Sequence, residues 1–101
     1  MTWEYVAGFF DGEGSVHYGR TPTERRIVRV TFTQGVKQNH VLYEIQEFLE
    51  SYDIKSGMNG LGTKLRVSLP DIPVCLEYML PHLIVKREKA TECLAFLRRP
   101  R

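Results

Sequence analysis

Only two cysteines occur in the 101 residues, Cys75 and Cys93; they lie far apart, with no C-x-x-C pair and no histidine at zinc-ligand spacing. That argues against structural zinc and reads as two small core residues in a reduced compartment. No stretch approaches the about 18 uninterrupted apolar residues that span a bilayer, and no basic segment leads into a long apolar run at the N-terminus. The expectation is a soluble intracellular protein, cytoplasmic or organellar, with no membrane partner. An excess of one charge is also missing. The net charge is +2 with 26% charged residues, too mild to argue for nucleic acid unless its distribution does so. The sequence has no glycine-rich phosphate loop, no nucleophilic triad and no H-N-H arrangement.

What is present fits one domain, residues 1–101, with a modest core that a dimer interface would extend. The positive charge is clustered at Arg20, Arg25, Arg26 and Arg29, at Lys86, Arg87 and Lys89, and at Arg98, Arg99 and Arg101. Such runs are often solvated faces, so position has to decide. Near the N-terminus, Val6 to Gly14 leads apolar residues and glycines into two carboxylates, Asp11 and Glu13. Gly8 and Gly12 repeat with small-residue spacing beside Ala7, and each costs about 1 kcal/mol against alanine within a helix. Close backbone approach to a partner helix justifies that cost; apposition with no chemistry is the plainer reading of the same residues. Asp11 and Glu13 are separated by about 200° of helix rotation and cannot share one face. Paired carboxylates would meet only across two copies.

Thr2 is placed to cap a helix over about residues 3–12, with Trp3, Val6, Ala7 and Phe10 recurring at i, i+3, i+4 and i+7. Strands follow at Ser15–Tyr18 and about Arg25–Gln34, joined by a turn containing Pro22. In the second strand Val28, Val30 and Phe32 face one way, and Arg25, Ile27, Arg29, Thr31 and Thr33 the other. Asn39 is expected to cap a helix over about 40–52. Short strands at Ile54–Met58 and Lys64–Leu69 flank the turn Asn59–Thr63, with Leu65, Val67 and Leu69 inward and Lys64, Arg66 and Ser68 outward. Asp71 is expected to cap a helix ending near Leu80, and residues 87–97 form the last helix, carrying Ala90, Cys93, Leu94 and Leu97 on one side. The fold class is α+β: an αββαββα domain with a four-stranded antiparallel sheet, helices on one face and a free, basic face on the other. Arginines alternating with threonines suit phosphates and base edges.

The stretch VAGFFDGEG, with Ser15 following, resembles the signature of the LAGLIDADG homing endonucleases, and the order of elements downstream agrees with that family. The resemblance implies a saddle that binds double-stranded DNA and cleaves both strands with a divalent metal. It assigns metal binding to Glu13, the acid before the last glycine, and a more structural role to Asp11. The Gly12 or a neighbouring carbonyl would add an oxygen ligand. Thr33-Gln34 matches the family's Thr-Gln, making Gln34 the candidate for ordering water. Pro81-His82-Leu83 followed by Lys86 resembles the segment that delivers the active-site lysine. Taken bare, Gln34 is also a strand-end turn residue and Lys86 a helix-start surface charge.

Because the signature occurs once, symmetry has to come from a second chain. The expected dimer contacts are Ala7, Gly8, Asp11 and Gly12. The expected DNA contacts are His17, Arg20, Arg25, Ile27, Arg29, Thr31, Thr33, Lys37, Lys64, Arg66 and Ser68. The cofactor expected is Mg²⁺, with Mn²⁺ as a plausible alternative and Ca²⁺ as a non-catalytic substitute. The function read from the sequence is a homodimeric, site-specific homing endonuclease making a double-strand break in a long pseudo-palindromic DNA target. The alternative is a DNA- or RNA-binding protein on the same scaffold without nuclease activity, such as an intron maturase. A purely structural dimerisation module is the third reading.

Overall fold

The computed structural model describes residues 1–99, so Arg101 of the terminal basic cluster lies outside the described residues. Helix α1 spans Trp3–Glu13 and is capped by Thr2, whose Oγ1 accepts the Tyr5 N–H at 3.1 Å. The anticipated stripe of Trp3, Val6, Ala7 and Phe10 is buried. The helix runs through Gly12 and stops at Gly14, an extended residue whose N–H bonds the Phe10 carbonyl. A Cβ at Gly14 would lie 2.2 Å from Phe10 Cδ1, so the absence of a side chain lets the helix pass straight into a strand.

Strands β1 (Gly14–Arg20) and β2 (Arg26–Thr33) form a hairpin in register from Gly14 opposite Phe32 to Arg20 opposite Arg26. Strands β3 (Ser56–Met58) and β4 (Lys64–Val67) complete an antiparallel sheet of order β1-β2-β4-β3. Within the 59–63 turn, Asn59 Oδ1 accepts the Thr63 and Lys64 N–H groups at 2.8 and 3.0 Å. Gly62 there has a φ of +70°, which glycine adopts freely. The two-residue period puts Val16, Val30, Phe32, Leu65 and Val67 on a buried face. Helix α1, helix α2 (His40–Glu50) and helix α4 (Arg87–Leu97) pack against the sheet, and α3 (Ile72–Met79) packs on α1 and α4. Among the described residues no helix is long and apolar enough to cross a membrane.

Several local expectations are corrected. Asn39 does not cap α2 with its side chain; its Nδ2 donates to the Gly62 carbonyl at 2.8 Å and ties the β3–β4 turn to the helix start. Asp71 likewise does not cap α3, because its Oδ2 accepts the Lys55 N–H at 2.9 Å. Leu69, expected inward, is 59% exposed: β4 ends at Val67, and Leu69–Asp71 turns as 3₁₀ helix around Pro70, which has no N–H to give a ladder. Phe96 joins Ala90, Cys93 and Leu94 in the buried face of α4, whereas Leu97 is only half-buried. The one ion pair among the described residues, Arg98 with Glu77, is 62% and 53% exposed, and such pairs contribute little. Apolar burial holds the fold, at about 1.5–3 kcal/mol for each fully buried large side chain.

Candidate active site and nucleic-acid interface

Helix α1 has two apolar faces. Trp3, Val6, Ala7 and Phe10 fill the core, while Tyr5, Gly8, Phe9 and Gly12 form a second stripe that is exposed except at Phe9, which is half-buried against the core. Among the described residues, no atom beyond the adjoining helix backbone lies within 4 Å of a Cβ placed on Gly8 or Gly12. Such a helix is usually buried on both sides. Ala7, expected at a dimer contact, is fully buried in the chain's own core, because it lies on the Trp3–Phe10 side of the helix. Tyr5 and Phe9 take its place on the open stripe.

Asp11 lies on the flank of α1 and is engaged within the chain. Its two carboxylate oxygens accept the Ile84 N–H at 2.7 Å and the Lys86 N–H at 3.0 Å, and its main-chain carbonyl accepts Lys86 Nζ at 2.6 Å. Burial pushes the Asp11 carboxyl up, but the amides of Ile84, Lys86 and Val85 and the Lys86 charge outweigh it, leaving the group below its ordinary 3.8. The ammonium sits on a carbonyl in the last turn of α1, where the helix dipole favours a cation. Phe10 adds its ring face, 5.9 Å from Lys86 Nζ.

Glu13 ends α1 and is exposed, immediately before β1. Because Gly14 pairs with Phe32, the end of β2 with Gln34 reaches the same end of the sheet. Gln34 is held there by its N–H on the Thr63 carbonyl at 3.0 Å, and its Oε1 accepts the Gly35 N–H at 2.9 Å. Glu13, Gln34 and the Asp11–Lys86 junction thus share one end of the domain. Among the described residues no three His, Cys, Asp or Glu side chains gather as a metal cage. The oxygen donors that one chain offers at this point, the Glu13 carboxylate and the Gly12 main-chain carbonyl, fit a hydrated Mg²⁺ ion. Such an ion keeps several waters and takes one or two carboxylates together with substrate phosphates.

The free face of the sheet continues from that end. Ser15, His17, Arg29, Thr31, Thr33, Lys64 and Arg66 line a shallow trough. The register puts Ser15 opposite Thr31, His17 opposite Arg29 and Thr31 opposite Arg66. None of Arg29, Lys64 or Arg66 has a carboxylate partner among the described residues. A second depression opens where β2 outruns β4, bringing Ser68 beside Arg29, Lys64 and Arg66. Thr31, expected as a contact, is 6% exposed and makes the floor of the trough.

No family model matches the chain. The probable intron-encoded DNA endonuclease 1 of Mycosarcoma maydis is 40% identical over 57 residues, 52% of this chain and 21% of that protein. The homing endonuclease I-CvuI, solved in complex with its target in the presence of Ca, superposes with a TM-score of 0.75 at 26% identity. That match covers 95% of this chain and 65% of the other. The LAGLIDADG meganuclease I-AabMI, bound to uncleaved DNA, matches with a TM-score of 0.73 at 18% identity over 97% of this chain and 38% of that one. The chain has the LAGLIDADG homing endonuclease fold. It spans about a fifth of the curated relative's length and under two thirds of I-CvuI.

Within this LAGLIDADG-type domain the remaining expected contacts separate by position. Ile27 has the parity of the trough, opposite Gly19. Arg25 lies in the hairpin turn, and Lys37 is exposed in a 3₁₀ turn off the sheet, Val36–Gln38. Arg20 is corrected: it shares the parity of Val16 and Tyr18, and its guanidinium lies over the Phe96 ring of α4, on the opposite side from His17. Ser15 is an addition to the expected contacts; it stands two residues before His17, so alternation alone is enough to place it in the trough. Ile84 and Val85, 83% and 76% exposed beside the Asp11 junction, carry no periodic signal because they lie in a connection between helices.

Proposed function

We propose that this chain is a site-specific DNA endonuclease that acts as a homodimer, binding a long pseudo-palindromic duplex through the two sheets and hydrolysing one phosphodiester per strand with a divalent metal. One observation carries the reading: an Arg29–Lys64–Arg66 trough, without an ion-pair partner among the described residues, runs along the free sheet face toward the end of the domain that holds Glu13, Gln34 and Lys86. The likeness to DNA-bound homing endonucleases supports it.

In this reading the Tyr5–Gly8–Phe9–Gly12 face meets its counterpart on a second copy and brings the two Glu13 carboxylates to the centre of the saddle. Arg29, Lys64 and Arg66 hold phosphates and base edges, and His17 and Thr33 read the adjoining groove. Glu13 and the Gly12 carbonyl would hold Mg²⁺, which when bound polarises phosphate oxygen and lowers the pKa of water. Gln34 orders water by its side-chain amide. Lys86, held by Asp11, places a positive charge beside the scissile phosphate, where negative charge grows during hydrolysis.

The test is cleavage of a randomised duplex library by purified protein with Mg²⁺. Cut ends are expected from wild type and none from Glu13→Gln. Absence of cutting by wild type, or cutting unaffected by Glu13→Gln, overturns the catalytic reading.

A further inference from the structure

Beyond β4's pairing with Thr31–Thr33, the β1–β2 hairpin continues as a two-stranded arm. At its tip, on the side away from the trough, Arg20 and Arg26 stand directly opposite each other. Like charges in that position destabilise a hairpin. Both guanidiniums lie over the Phe96 ring, 5.8 and 5.5 Å from its centroid. Arg26 also donates to the Arg99 main-chain carbonyl, yet its buried Nε–H has no partner. Among the described residues Arg20 hydrogen-bonds the Glu24 carbonyl alone, at 3.4 Å. Glu24 lines the same cleft with Arg20, Arg25 and Arg26, and its carboxylate pairs with none of them. The fold therefore holds two cations together on an aromatic platform with a buried donor left over and, among the described residues, no ion pair to neutralise them.

We propose that this cleft binds a nucleic-acid phosphodiester, separately from the trough. It rests on the DNA-binding reading above and extends it: the arm ends at the rim of the sheet, where a duplex seated in the trough leaves the four-stranded part. Arg20 and Arg26 supply a two-pronged grip on a phosphate, the ring face keeps both guanidiniums in place, and Arg25 widens the positive field. No base edge is read at this position.

The experiment compares affinity for two duplexes with the same centre, one ending at the sheet's footprint and one extended by a helical turn on each side, between 50 and 200 mM salt. Wild type should show a steeper salt dependence on the long duplex, by about one unit of log–log slope for each arginine–phosphate pair formed. Arg20→Gln with Arg26→Gln should remove that difference and leave the short duplex unchanged. Arg20→Gln alone, at an exposed position, should remove about half and serves if the double variant melts early. A labelled single strand offered to the complex with the short duplex tests whether the phosphodiester comes from a separate strand. Binding of that strand by wild type, abolished in the variants, supports the cleft with that source. Equal slopes on both duplexes together with no strand binding overturn the cleft while leaving the trough intact. Failure of wild type to bind either duplex counts instead against the DNA-binding reading on which the cleft depends.

Discussion

Asp11 holds Lys86 twice, accepting its N–H at 3.0 Å through the carboxylate and its Nζ at 2.6 Å through the main-chain carbonyl. The side chain that fixes the 84–86 backbone thus belongs to the residue whose carbonyl aims the ammonium. Asp11→Asn keeps the shape but loses the charged acceptor, and hydrogen bonds to charged groups contribute about 1.5–3 kcal/mol each. The expected loss is about 2 kcal/mol in thermal or urea unfolding. If the proposed chemistry holds, cleavage falls further than the folded fraction does. A variant as stable as wild type would refute the bracing role.

The same carboxylate sets an acid limit. Its folded value lies below the ordinary 3.8, so its contribution is fully present above about pH 4 and is lost as pH falls through the folded value. Urea midpoints followed downward from pH 6 should drop for wild type below about pH 4, and less steeply for Asp11→Asn. Parallel curves would show that Asp11 is not responsible.

Gly14→Ala puts a methyl group 2.2 Å from Phe10 Cδ1, against a ring that is itself fully buried. Overpacking of this kind costs about 1–3 kcal/mol. Phe10→Leu is destabilising alone, but the pair should be less destabilising than the sum of the two, which a double-mutant cycle measures. Strict additivity would mean that the clash relaxes elsewhere.

Much of this arrangement is legible in the chain because periodicity reports directly on faces. The stripe from Trp3 to Phe10 and the alternation in β2 locate the core and the free sheet face without knowledge of any distant contact. The signature residues lead to Glu13, Gln34 and Lys86 only through a family resemblance; spacing alone leaves each with a plainer reading. What periodicity does not report is contact between distant segments. Asn39 and Asp71 look like helix caps, yet the turn at Gly62 and the backbone at Lys55 claim their side chains. Arg20 groups with its basic neighbours by proximity in sequence, whereas its parity with Val16 puts it on the helix side. Ala7 follows the small-residue pattern of Gly8, but one step along a helix turns about 100° and crosses from the open face to the core.

Arg29 and Arg66 converge on the trough without acidic partners among the described residues, so each should neutralise a phosphate if a duplex lies there. Arg29→Ala or Arg66→Ala is expected to reduce the slope of log affinity against log salt by about 0.9 for each phosphate no longer neutralised, with melting temperature little changed. Lys89→Ala on the exposed part of α4 is the control and should leave the slope alone. Equal slopes for all three would place the duplex somewhere other than the trough.

Gly8 separates the dimer from the monomer by sign. With nothing beyond its own helix backbone within 4 Å of its Cβ position among the described residues, Gly8→Ala should stabilise the isolated domain by about 1 kcal/mol through helix propensity. If the open stripe packs against a second copy at backbone distance, the same methyl group pushes the helices apart and weakens association. The expected result is therefore a variant that melts higher than wild type at low concentration and lower at high concentration, with a raised dimer dissociation constant in sedimentation equilibrium. Gly8→Leu should abolish association altogether and still give a folded monomer by circular dichroism. Stabilisation by Gly8→Ala at every concentration would mean that the stripe faces solvent, and the two Glu13 carboxylates would then have no route to a shared site.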